Sequence, residues 1–72
     1  MADEIRMLDV VALIEDVPEH GLVRGQVGTV VEILAEGHFE VEFSGDDGRA
    51  YALLPLERRQ LMVLRYQPAH AA

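Results

Sequence analysis

The chain has no cysteine, no lysine and no tryptophan, and only one serine and one threonine. Without cysteine there is no disulfide to staple a small domain, and no thiolate for a zinc site or for nucleophilic catalysis. Without lysine, six arginines face thirteen acids, and the formal net charge is −7. A surface of that sign repels phosphate backbones, so nucleic acid is set below protein among the expected partners. It suits a basic protein partner, or serves solubility alone. Aromatic residues make up only 6% of the chain. That is too few, with Phe39 and Phe43 required in the core, for the aromatic groove that takes proline-rich peptides. Long apolar runs are absent as well. No stretch approaches the roughly 20 apolar residues of a transmembrane helix. The start "MADEIRMLDV" lacks the basic flank and apolar centre of a signal peptide. The expectation is a cytoplasmic protein with no membrane partner.

What remains is a half-hydrophobic chain of 72 residues. That is enough for one packed core and far from a disordered composition. A domain this size buries only roughly 60% of its unfolded surface, so its stability rests on packing alone or on a second copy of the chain.

Along the chain, "MLDVVALI" reads as a first strand over residues 7–14, because Val10, Val11 and Ile14 are β-branched. An irregular turn over residues 15–22 follows, with φ fixed at Pro18 and Gly21 free to take positive φ. Gly25 is placed for a tight turn into a second strand. Gly28 sits inside an apolar β pattern, where glycine marks a bulge or a close backbone approach. "AEGH" is a hairpin turn. "FEVEF" alternates cleanly, with Phe39, Val41 and Phe43 on one face and Glu40 and Glu42 on the other. Asp47-Gly48 is a second hairpin signal. "RAYALLPL" is a fourth strand broken by Pro55, "LERRQL" holds a short 3₁₀ turn, and "LMVLRY" is a fifth strand. Residues 67–72 are expected to form a disordered tail. Five short strands at near-regular spacing over residues 1–66 predict an all-β domain, a small five-stranded barrel.

The spacing Gly21-x-x-Arg24-Gly25-x-x-Gly28-x-Val30 resembles the KOW motif of ribosomal proteins and transcription factors. "RGQVGTVV" also resembles a segment in the SH3-like domain of nitrile hydratase β subunits. Over nearly its whole length the chain is similar to a family of small uncharacterised bacterial proteins. The shared pattern is a D-x-V strand, "PEHGL", "GQVGTVV", "EVEF" and "ALLPL". These resemblances imply an SH3-like barrel and bring no established activity. The KOW likeness implies an RNA or polymerase-associated role. This chain departs from it, because Glu15, Asp16, Glu19 and Glu32 surround the single basic residue Arg24.

Candidate residues fall into a few groups. Asp16, Glu19, His20 and Arg24 form a partner-binding set if the 15–22 loop is a recognition loop. The plainer alternative is a turn that folds on itself around Pro18 and Gly21, with His20 bonded to nearby backbone. Pro18, Gly21, Gly25, Gly28 and Gly48 are structural turn residues. His20, His38, Asp46 and Asp47 lack the spacing of metal ligands, so no metal or cofactor is expected. Ser44 and Thr29 have no partners for nucleophilic work, and no enzymatic activity is expected of the chain. Arg58 and Arg59 read as surface ion-pair partners of Glu57 and its neighbours. Leu53, Leu54 and Leu56, followed by the run from Leu61 to Leu64, leave two options: a bent strand buried on both faces, or an exposed apolar face for a partner or a homodimer. The function these features favour is a small non-catalytic protein-interaction module, an accessory or neutralising partner of another protein. The alternatives are a KOW-like nucleic-acid-associated protein and an accessory subunit of a larger enzyme.

Overall fold

The computed structural model describes residues 4–68. They build five strands: β1 (Val10–Leu13), β2 (Val27–Ala35), β3 (His38–Ser44), β4 (Ala50–Glu57) and β5 (Leu61–Val63). Single 3₁₀ turns lie at Pro18–His20 and Arg58–Gln60. All pairings are antiparallel, and the strands form one sheet in the order β4-β3-β2-β1-β5. The all-β expectation with five strands therefore holds, as does the 3₁₀ turn in "LERRQL".

The sheet is not closed into a barrel. β4 and β5 are its two outer strands and do not pair with each other. The reason lies in the connection between them. The 3₁₀ turn joins them directly, and the three residues of β5 pair with β1 through Val11↔Val63, Ala12↔Met62 and Leu13↔Leu61. A strand this short, sent back to β1, has no length left to run beside β4. The open sheet still curls, because an apolar face must be buried against something. Leu54 and Leu56 of β4, Leu61 of β5, Val11 and Leu13 of β1, and Phe43 of β3 all join one buried cluster. The core is thus wrapped by one sheet and plugged by Val17 and Leu22 from the loop after β1.

β3 is the strand whose sequence pattern is plainest. Phe39, Val41 and Phe43 are buried, while the glutamates between them face away from the core. β1 is shorter than the expected 7–14. Its N-terminal end is pre-empted by a turn in which the Arg6 amide donates to Asp9 Oδ2 at 2.8 Å and the Asp9 amide donates to Arg6 O at 3.1 Å. Aspartate competes with strand pairing in this way, and it leaves Leu8 at φ 68°. β5 likewise stops at Val63, short of the expected Tyr66, although the Leu64 amide still donates to Val10 O at 2.9 Å. β4 runs through Pro55 without a break. An outer strand needs hydrogen bonds on only one side, so it tolerates the missing N–H. The tail expected over 67–72 lies outside the described residues except for Gln67 and Pro68, which are exposed and carry no strand.

Gly28 is the close-approach case of its two expected roles. It is buried between Val11 of β1 and Phe43 of β3. A Cβ there would stand 2.7 Å from Val41 Cγ1, 2.9 Å from Glu42 O and 3.0 Å from Phe43 Cδ2. The bulges of β2 come later, between Val30 and Glu32 and between Ile33 and Ala35.

Candidate functional site

The loop from Glu15 to Gln26 folds back on itself. Val17 and Leu22 form an isolated bridge, exchanging amide-to-carbonyl bonds of 2.9 and 3.2 Å with their side chains in the core. Between them Pro18–His20 makes one 3₁₀ turn, closed by Gly21 at φ 69°, whose amide donates to Pro18 O at 3.0 Å. Asp16 Oδ1 accepts the Arg24 amide at 2.8 Å and ties this turn to the next one. There Gly25, at φ 96°, donates to Leu13 O at 2.7 Å, and the Val23 amide donates to Gln26 Oε1 at 2.7 Å. The four candidate residues thus lie in one neighbourhood with unequal roles. Asp16 holds backbone. Glu19, His20 and Arg24 sit exposed on the outside of the loop, and the His20 ring makes no hydrogen bond among the described residues. His20 therefore does not brace the turn, which is closed by backbone bonds alone.

Gly48, at φ 80°, belongs to a loop closed by the Gly45 amide on Arg49 O at 2.9 Å. Arg59 pairs with Glu57 at 2.8 Å and with Glu15 at 3.5 Å. Gln60 and Glu57 cap the same turn reciprocally, and Gln60 Nε2 donates to Glu15 Oε2 at 3.1 Å. These contacts brace the junction of β4, β5 and the first loop.

A second surface answers the option left open at Leu53, Leu54 and Leu56, of which Leu53 alone is exposed. On the side of the sheet away from the core, β4 presents Leu53 and Pro55, both exposed, with Leu53 at 56%. Glu42 lies directly opposite Leu53, and Glu40 opposite Pro55. One strand further in, Glu32 of β2 lies opposite Glu40, and Thr29 opposite Glu42. Three carboxylates therefore share one patch of sheet beside an apolar row. Like charges directly across a ladder oppose the pairing that holds them. None of the three has a hydrogen-bond or ion-pair partner among the described residues. Tyr51 lies outside this row, because a bulge between Ala50 and Ala52 leaves it out of register with β3. Its ring lies 6.3 Å from that of Phe43, and its hydroxyl accepts from Gln26 Nε2 at 3.1 Å. The signal for Glu40 and Glu42 was in "FEVEF". Placing Glu32 and Leu53 beside them required the strand register, which no local pattern carries.

Among the described residues no charged or polar side chain is buried, and no three His, Asp or Glu residues stand together as metal ligands. No helix among them is long and apolar enough to cross a membrane.

A model of a domain family of unknown function (DUF4926) matches residues 7–63. The chain belongs to that family. No curated protein and no solved structure gave a match. The DUF4926 match begins in the turn before β1 and ends on the last residue of β5, so it spans the sheet and both candidate surfaces.

Proposed function

We propose that this chain is a non-catalytic protein-interaction module, an accessory or neutralising partner of another protein. One observation carries the reading. Large apolar side chains stand exposed on an outer strand and its face, while the core is already filled by others of the same strands. In β4 alone Leu54 and Leu56 are buried, and Tyr51 and Leu53 are exposed. Fold stability does not require that exposure, and outer strands with apolar faces are where chains meet. The net charge of −7 favours a basic partner and would speed its encounter at low salt. Glu19 and His20 of the first loop are exposed as well. Asp16, which holds the Arg24 amide, contributes charge but is bound into the loop.

The test is affinity capture with the tagged full chain from its native cell lysate at physiological salt, in nuclease-treated and untreated halves. A defined protein retained in both halves is the expected result. Retention that vanishes with nuclease would replace this reading with a nucleic-acid one.

A further inference from the structure

We infer that the outer face of β2, β3 and β4 docks a basic amphipathic segment of a partner protein, in which an arginine or lysine stands two residues from an aliphatic or aromatic one. This rests on the interaction reading above and names the surface and the chemistry of its occupant.

The face consists of two unlike rows. Leu53 and Pro55 of β4 form an apolar row. Glu42 and Glu40 of β3 form an acidic row in register with Leu53 and Pro55, and Glu32 of β2 deepens it. Adjacent strands are about 4.8 Å apart, so an aliphatic side chain over one row and a cation two residues on, on the same face of an extended segment and about 6.6 Å away, can reach the two rows in one obliquely crossing segment. Charge complementarity selects the cations. A guanidinium or ammonium over the Glu32–Glu40 pair removes the repulsion that the ladder otherwise carries, and these carboxylates have no competing cation among the described residues. The exposed apolar row selects against a merely polycationic ligand, because a chain of cations alone leaves Leu53 in water.

A second copy of this chain does not fit the face, since it would bring acid onto acid. Addition of a partner strand along the free edge of β4 fits less well than docking on the face. Pro55 lacks an N–H midway along that edge and blunts it.

The experiment uses the full chain, immobilised, and random peptides of about twelve residues displayed on phage. That length spans the three strands at about 3.3 Å per residue. The peptides expected to enrich carry a Lys or Arg and an apolar residue two positions apart. Their affinity, measured by fluorescence anisotropy, falls about tenfold in Glu40→Gln/Glu42→Gln and by a similar factor between about 0.05 and 0.5 M salt. It falls about fivefold in Leu53→Ser and less than about twofold in Glu19→Gln. Thermal melts confirm that each variant is folded, and Glu32→Gln/Glu40→Gln with Leu53→Ala serve as replacements for any that is not. No enrichment, enrichment without the basic–apolar pattern, or equal binding to wild type and these variants overturns the inference. A protein captured from lysate that holds equally well to the Glu40→Gln/Glu42→Gln and Leu53→Ser chains overturns this face and leaves the interaction reading standing. Capture of no protein at all overturns that reading instead.

Discussion

The inner and outer faces of the β3–β4 ladder are built from alternate residues of the same two strands, yet they obey different requirements. Inside, Phe39, Val41 and Phe43 meet Leu54 and Leu56, and every one of them is buried. Each is held by volume, because interiors pack like crystals and tolerate neither a gap nor an extra methyl group. Outside, Glu40 and Glu42 meet Pro55 and Leu53, and the pairing is neither apolar nor charge-balanced. The inner face is explained by folding. The outer face is not, and a residue that folding does not explain is free to answer to a partner.

Substitutions can test that division. The largest effect is expected inside. Phe43→Ala removes a fully buried ring at the centre of the cluster and should destabilise the chain by about 3–5 kcal/mol, measured by urea unfolding. Gly28→Val comes next, at about 3 kcal/mol, because its first added carbon already collides with Val41 and with the Glu42 carbonyl. A Gly28→Val chain of full stability would mean that β2 and β3 do not approach as described. The smallest effect is on the outer face and has the opposite sign. Glu40→Gln should raise stability by about 0.3 kcal/mol, because it relieves the charge opposite Glu32. A loss of stability there would tie Glu40 to the fold and erase the distinction between the faces.

Much of the inner face was legible in the sequence. "FEVEF" alternates with the period of a strand and lies where β3 lies, and the glycines at 21, 25 and 48 mark turns with positive φ. Gly28 was legible as a constraint, although only the register showed that the constraint is the side chains of Val41 and Phe43 and the Glu42 carbonyl of β3. The ends of β1 were not legible, because a strand's β-branched core says nothing of an aspartate that closes a competing turn just before it. Closure of the sheet was not legible either. Whether β5 pairs with β4 or with β1 depends on the three-residue turn at Arg58–Gln60 and on the brevity of β5, and both are settled by tertiary packing. For the candidate sites the loop was easier to notice than the sheet face. Pro18, His20 and Gly21 are conspicuous as letters. Glu32, Glu40 and Leu53 are ordinary letters that matter only once two registers bring them together.

The open seam between β4 and β5 gives the molecule a direction in which to come apart. β3 is bonded to a neighbour on each side, and nearly every residue of β4 is in register with it. β5 is attached along three residues and on one side only. Amide hydrogens should therefore exchange with deuterium first in β5 and last near Val41 and Phe43, as the sheet frays inward from its short edge. Excursions of that kind begin at the strand farthest from the acidic face, so the face can stay formed while the opposite end of the sheet breathes.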